Sequence, residues 1–392
     1  MKPLKLSSST IVNALGCGMD ATYAALQRGE SGLRQTNDPQ VQFESWIGQV
    51  TKLEDNPIEG SLAQFDCRNN RLAKLCLDTD DFVSSVDQAR ARYGSHRIGI
   101  ILGTSTSGIA STEQAYRQRD VQSGDLPASF DLLNTHNIYS LVSFCKQYLG
   151  LNGPGLTIST ACSSSAKVFA AASRYIESGL CDAVVVGGVD SLCLTTLYGF
   201  HSLELISSQP CRPWDEARNG ISIGEAAGFA LLEKANDSSD VVFKGYGESS
   251  DAYHMSSPHP EGVGAALTMR KALERAKLNP KDVGYINLHG TATPSNDTAE
   301  DRAVVDIFGD IIPCSSTKGW TGHTLGAAGI TEALVAKLVL ENDLLPSNLN
   351  MKDKDQTLSA NILTENIHRR VENVMSNSFG FGGSNCCLLL GR

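Results

Sequence analysis

The sequence predicts an α/β protein built from two halves, residues 1–240 and 241–392. Three observations carry that expectation. Short apolar runs end at glycine, as buried strands of an α/β sheet do, because both faces are covered and no polar alternation is needed. An Ala-rich helical segment sits between two of these runs. A polar connector, ANDSSD (235–240), is followed by a second series of strand and helix patterns.

The elements follow in order. Ile98–Leu102 before Gly103, Leu156–Ser159, and Ala183–Val186 before Gly187 and Gly188 are the strands of the first half. SSSAKVFAAASRYIESG (163–179) is a helix closed by Gly179, a residue type that terminates helices in the left-handed conformation. AGFALLEK (227–234) ends this half as a strand. The second half restarts with the strand VVFKGYG (241–247), a helix over 264–277 and the strand VGYINLHG (283–290). A helix from Thr298, a loop SSTKGWTGHTLGAAG (315–329), a helix from Gly326 to Asn342 and the strand CCLLL (386–390) complete it. The similar content of the halves hints at duplication, although no residue-level repeat is present.

Composition bounds the function. The 392 residues suit two or three domains, or one large fold, at about 150 residues per domain. With 41% hydrophobic and 19% charged residues the chain is globular, and its 36 glycines predict many tight turns. A net charge of −10 argues against nucleic acid or an anionic membrane as partner. MKPLKLSSST lacks the apolar core of a signal peptide, and no run approaches about 18 apolar residues, so a cytoplasmic protein is expected. Eleven cysteines without a C-x-x-C pair suit neither a disulfide framework nor a zinc site.

One cysteine stands apart. Cys162, in LTISTACSSSAKVFAAA, follows a strand and stands at the first turn of the Ala-rich helix. Free N–H groups and the helix dipole there predict a thiol pKa below the usual ~8.5 and a backbone N–H able to hold an oxyanion. His289 ends the strand GYINLHG, where Gly290 and Pro294 predict a rigid turn, and His323 lies among small residues in TGHTLGAAG. Both occupy junctions where α/β proteins place active sites. Lys318 adds a charge in the same loop, and Glu332 falls on the following helix, where a charged residue is ordinarily solvated. NSFGFGGSN (377–385) lacks the Lys-Ser/Thr of a phosphate loop, and its two Phe among three Gly suggest an apolar flap.

Together these residues resemble the elongating (type I/II) β-ketoacyl-acyl carrier protein synthases of the thiolase superfamily. The resemblance runs from GCGMDATYAALQRGESGL (16–33) to the end of the chain, through TACSSS (160–165), PWDEARNGISIGEAAG (213–228), GYGESSDAYHMSSPHPEG (245–262), HGTATPSND (289–297), SSTKGWTGHTLGAAG and NSFGFGGSN. It implies a thiolase-like fold of two duplicated halves in five α-β-α-β-α layers, and a decarboxylative Claisen condensation giving 3-oxoacyl-carrier protein in fatty acid or aryl polyene synthesis. It implies that Cys162 carries the acyl chain, that the N–H groups of Cys162 and Phe381 form an oxyanion hole, and that His289 and His323 stabilise an enolate. Lys318 paired with Glu332 would hold His323, Thr291 and Thr293 would bind the pantetheine arm, and Phe379, Phe381 and Phe200 would gate the pocket. No metal or soluble cofactor is implied, because acyl chains arrive on the carrier protein's phosphopantetheine.

The chain also departs from the family pattern. KLSSSTIVNALG (5–16) replaces an apolar first strand and predicts a polar, irregular one; Ile221 stands for a larger Phe beside the site, and Trp320 for Met or Ile. Arg68, Arg71 and Lys74 share one helical face and match a carrier-docking site, whereas Glu204 stands where Arg is common. These departures leave open a housekeeping or a specialised pathway, such as aryl polyene synthesis. The resemblance further implies a homodimer, or a heterodimer with a chain-length-factor-like subunit, with Ala183–Val186 a candidate for cross-subunit contact. A non-condensing chain length factor would lack the nucleophile. A CoA-dependent thiolase would need a second cysteine within the Gly-rich loop, and Cys386 and Cys387 follow that loop.

Overall fold

A computed structural model describes residues 1–235 and 241–392. Except for Ala235, the predicted connector lies outside the described residues, as does the join at 240. The first half supplies β1 (Leu4–Asn13), β2 (Ile98–Gly103), β3 (Gly155–Ile158), β4 (Ala183–Asp190) and β5 (Ala226–Lys234). The second supplies β6 (Val242–Ser250), β7 (Tyr285–Asn287), β8 (Pro313–Ser315), β9 (Asn361–Ile362), β10 (Asn373–Gly380) and β11 (Ser384–Gly391).

The duplication is visible in the pairing. From the centre outward the first half runs β1-β5-β4-β2-β3 and the second β6-β11-β10-β7-β8, with β9 beyond β8. In each half the first two pairings are antiparallel and the next two parallel. The halves meet where Leu4 pairs with Phe243 and Lys5 with Val242. β1 shifts register between Leu6 and Ser8, the irregularity its polar sequence predicts.

Helices flank these strands, among them α1 (Arg68–Leu77), α2 (Phe82–Tyr93), α3 (Ser140–Tyr148), α4 (Ser164–Glu177), α5 (Leu194–Ser202), α6 (Val263–Ala276), α7 (Pro294–Phe308) and α8 (Ala328–Asn342). Strand alternation decides which layer each side chain joins. Val184 and Val186 of β4 and Leu388 and Leu390 of β11 face a central core with Phe169 of α4 and Leu334 of α8. Ala183 and Val185 face outward to Leu72, Phe82 and Phe144 on α1, α2 and α3. In the second half, Ile286, Met375 and Leu389 face Met269 of α6 and Val304 of α7. The layers therefore run α-β-α-β-α. Among the described residues, no helix is long and apolar enough to cross a membrane.

Several expectations need correction. α7 starts at Pro294 rather than Thr298, because proline's fixed φ suits the first helical turn. The loop at 315–329 contains a short helix, Lys318–Thr321. Ala183–Val186 is unavailable for cross-subunit contact: it pairs on both sides, with β5 and β2, and is fully buried. The first half ends instead at β3, which is half-buried and, among the described residues, pairs only with β2.

The start of α4 is the tightest junction. An added Cβ on Gly103 would lie 2.5 Å from the Ser165 nitrogen, and one on Gly188 2.5 Å from the Ser165 Cβ. Across the central layer, a Cβ on Gly329 would lie 2.3 Å from the Ala166 nitrogen. The Ile330 N–H donates to Ser165 Oγ at 2.9 Å and locks the crossing of α4 and α8. Gly329→Ala should therefore destabilise the protein by about 1–3 kcal/mol, the usual cost of overpacking. Urea unfolding measures this; an unchanged midpoint would show that the helices part freely.

Candidate active site

The duplicated topology brings two equivalent turns face to face. Cys162 lies between the third strand of the first half, β3, and α4. His323 lies between the third strand of the second half, β8, and α8. His323 Nε2 stands 3.0 Å from Cys162 Sγ. His289 follows β7, and the two imidazole rings meet edge to face at 5.4 Å between centroids. All three side chains are buried.

Burial overrides the helix dipole at the thiol. Cys162 was expected to have a lowered pKa; instead burial pushes it up to about 11. Lys318 and the backbone N–H groups of Phe381 and Cys162 pull in the other direction without overcoming burial. Both histidines are held well below the ordinary imidazole value, by burial first and then by Lys318, with His323 adding to the effect on His289. The resting site is therefore a neutral thiol beside two neutral imidazoles.

Their hydrogen bonds assign the tautomers. Lys318 Nζ, which can only donate, approaches His289 Nδ1 at 3.4 Å. The Leu325 N–H donates to His323 Nδ1 at 3.2 Å. Each Nδ1 is thus an acceptor, and each Nε2 carries the proton. Cys162, His289 and His323 offer ligand atoms within 4.8 Å of one another. Both rings turn an N–H rather than a lone pair toward the shared space, so the two imidazoles are arranged to donate hydrogen bonds there.

Lys318 and Glu332 stand behind this constellation. Lys318 Nζ donates to the His289 carbonyl and pairs with Glu332 Oε1, both side chains being buried. The solvated position ordinary for a helical Glu does not apply to Glu332. Burial pushes its carboxyl up to about 7 against the pull of Lys318. The direct partner of Lys318 is His289, whereas the resemblance implied His323.

Cys162, His289, His323, Thr291, Thr293, Phe200, Ile221, Phe379 and Phe381 line one pocket. Thr291 and Thr293 share a hydrogen bond at 2.9 Å. The Phe200 and Phe381 rings stand 5.4 Å apart, and Phe379 meets His289 edge to face at 5.8 Å. The Gly-rich segment is a turn between β10 and β11 in which Gly382 and Gly383 take positive φ. Trp320 is buried in the central core, outside the pocket lining. Cys386 and Cys387 are buried in β11 and do not line the pocket.

Sequence reasoning missed Glu300. This buried carboxyl accepts the N–H groups of His289 and Gly290, each at 2.8 Å, and the Asn377 amide at 3.0 Å. It fixes the turn in which Gly290 takes φ 39°. Starting α7 at Thr298 hid this residue; the start at Pro294 puts Glu300 in the second turn, facing back to the strand end. Asn296 and the loop residues Asp251 and Ser256–Pro258 also line the pocket and were not anticipated.

At the expected docking face, Arg68, Arg71 and Lys74 all make ion pairs within the chain. Arg68 pairs with the fully buried Glu225 and with Glu54; Arg71 pairs with Glu54 and Asp66; Lys74 pairs with Asp78. Arg68 is held by a fully buried carboxylate, whereas the carboxylates Glu54 and Asp78 that meet Arg71 and Lys74 lie at the surface. Glu204 is exposed just beyond α5, beside Leu205 of the pocket lining.

Comparisons with known proteins agree with this geometry. The family model described as β-ketoacyl synthase, N-terminal domain, matches residues 84–238, and that of the C-terminal domain matches residues 241–352. The chain is 33% identical to 3-oxoacyl-[acyl-carrier-protein] synthase 2 of Vibrio cholerae, over 97% of both chains. It is 38% identical to a ketosynthase (ApeO) solved in complex with its chain length factor (ApeC) from Xenorhabdus doucetiae, with a TM-score of 0.90, covering 100% of this chain and 98% of that one. A β-ketoacyl synthase from Burkholderia phymatum is 26% identical, with a TM-score of 0.89 and full coverage of both chains.

Two measurements test the electrostatics. Alkylation of Cys162 by iodoacetamide should still accelerate at pH 9, because a thiol raised to about 11 gains thiolate throughout that range. A plateau near neutrality would mean that the helix dipole prevails. Arg68→Ala leaves Glu225 buried and unpaired and should cost about 3–5 kcal/mol of stability. A thermal or urea midpoint unchanged from wild type would contradict this.

Proposed function

The chain belongs to the β-ketoacyl synthase family, and from that premise we propose that it joins an acyl group carried on Cys162 to a malonyl group carried on acyl carrier protein. One observation carries the reading: two neutral imidazoles present N–H groups to the space in front of a buried thiol. Decarboxylation of a malonyl thioester places negative charge on the thioester oxygen, and two donors aimed there lower its barrier. Neutral rings stabilise that charge without delivering a proton that would quench the carbanion.

Cys162 Sγ attacks the thioester of an acyl-phosphopantetheine, and the oxyanion forms in front of the Cys162 and Phe381 N–H groups. Pantetheine thiol leaves with the proton that Sγ gives up. Malonyl-carrier protein then enters, its C–CO₂ bond breaks, and the electron pair forms an enolate held by Nε2–H of His289 and His323. The enolate carbon attacks the acyl-Cys162 carbonyl, a C–C bond forms, and the Cys162 thiolate departs and takes up a proton from solvent, which restores the resting thiol. Lys318, braced by Glu332, holds the His289 tautomer and acts as a positioning residue. Thr291 and Thr293 receive the pantetheine arm, while Phe200, Phe379 and Phe381 control entry. The chemistry needs neither a metal nor a soluble cofactor and takes place in the cytoplasm.

We further propose a specialised polyene-type chain rather than housekeeping saturated chains. The likeness to the ketosynthase solved with its chain length factor supports this. The partner is then a homologous chain-length-factor-like subunit instead of a second copy. An interface at the β3 edge is supported by the exposed Leu132, Leu133, Ile138 and Tyr139 beside it, and the choice of partner by the likeness to the ketosynthase solved with its chain length factor.

Replacing Cys162 by Ala should abolish condensation, as read by formation of 3-oxoacyl-carrier protein. His289→Ala and His323→Ala should each slow malonyl-carrier decarboxylation ~10²–10³-fold, the cost of losing one oxyanion donor. Acylation of Cys162 should be affected less. Because both rings stay neutral well below their ordinary pKa, the decarboxylation rate should show no inflection near pH 6.5. Equal loss of both half-reactions would mean that the histidines only maintain the fold.

A further inference from the structure

Each imidazole must keep its Nδ1 as an acceptor, and Lys318 does this for His289. For His323 the donor is the Leu325 N–H, whose direction is set by the turn to which it belongs. We propose that Asp190, the last residue of β4, is the positioning residue for His323 and acts through that turn. The inference deepens the condensation reading and rests on it for the effect on rate.

The turn is one that the chain does not adopt unaided. Leu325 takes φ 53° and opens a 3₁₀ turn, Leu325–Ala327, between His323 and α8. In this left-handed conformation a Cβ crowds the following carbonyl oxygen, so the residue stays there only where its surroundings hold it. One hold is the Leu325 side chain, which packs with Leu197, Ile221 and Ile223. The other is on the next residue. The Gly326 N–H donates to Asp190 Oδ2 at 2.6 Å, and a Cβ added to Gly326 would lie 2.7 Å from that oxygen.

Asp190 is itself fixed. It is fully buried, and its Oδ1 accepts the Thr104 hydroxyl at 2.7 Å and the N–H groups of Ser105 and Thr106 at 2.8 and 2.9 Å. Its Oδ2 also accepts the Ser105 hydroxyl. These donors directly follow β2, the parallel neighbour of β4, so one side chain ties two strand ends of the first half to the His323 turn of the second. The half that supplies the thiol thus also holds the imidazole beside it. Glu300 does the corresponding work for His289 from α7.

The two oxygens face different donors, which makes an isosteric change informative. An asparagine has one acceptor oxygen, and three donors draw it to the Oδ1 side. Its NH₂ group then faces the Gly326 N–H. Two opposed donors release the turn, Leu325 relaxes to negative φ, and its N–H leaves His323 Nδ1. The ring then takes its proton on Nδ1 and turns a lone pair to the place where the enolate oxygen needs a donor.

NMR of protein labelled with nitrogen-15 histidine reads the tautomer, with His323→Ala to assign the resonances. Wild type should show His323 protonated on Nε2. Asp190→Asn should move part of the population to Nδ1 and leave His289 unchanged. Malonyl-carrier decarboxylation should fall about tenfold or more. Acylation of Cys162 by an acyl-N-acetylcysteamine thioester should fall less than threefold, because an Nε2 lone pair still accepts the thiol proton. Adding Leu325→Gly to Asp190→Asn removes the cost of the left-handed turn and should restore the Nε2 proton, although it deletes a buried side chain. An unchanged His323 tautomer in Asp190→Asn, or equal loss of both half-reactions, would overturn the proposal. If Asp190→Asn does not fold, wild type decides: the Gly326 amide should exchange as slowly as the core amides of β4, and exchange within minutes would overturn it. If the tautomer shifts as stated but wild type does not decarboxylate malonyl-carrier protein, the positioning role stands and the condensation reading falls.

Discussion

Two helices cross with almost no space between their backbones, and the chemistry hangs on that contact. Ala166 of α4 meets Gly329 of α8, and Ser165 Oγ receives the Ile330 N–H. Cys162 precedes one helix and His323 the other, so this contact sets the 3.0 Å separation of Sγ and Nε2. Because the same topology occurs in both halves, the two residues stand at matching turns. Duplication supplied a thiol on one side and donors on the other.

The site also shows how burial, reinforced by a buried cation, keeps two imidazoles neutral. Lys318 is enclosed, and its charge is balanced by Glu332. Removing either partner would leave an isolated buried charge, a costly state. The retained charge disfavours protonation of both imidazoles and fixes which nitrogen of His289 bears its proton. A group outside the pocket lining thus adds to burial in setting what the groups in it can do. Glu300 performs a similar task for the backbone, holding the turn that aims His289.

Much of this was legible in the sequence because the signals were local. Gly-bounded apolar runs marked β2 and β4, and the Ala-rich stretch closed by Gly179 marked α4. Small residues around His323 foretold a close approach, which Gly329 makes. The paired strand order of the halves was invisible, since topology repeats without repeating residues. The raised Cys162 pKa escaped because a helix dipole can be read from spacing, whereas burial depends on how the two halves close. The Arg68, Arg71 and Lys74 face looked free because Glu54, Asp66 and above all Glu225 come from elsewhere in the chain. Glu300 was missed through a helix boundary set four residues late.

The central claim is that both imidazoles offer Nε2–H to the space before Cys162. A neutron structure of the deuterium-exchanged protein reads those positions directly. The account predicts deuterium on Nε2 of His289 and of His323, and none on either Nδ1. Deuterium on Nδ1 of either ring, whether as the other tautomer or as imidazolium, would contradict it.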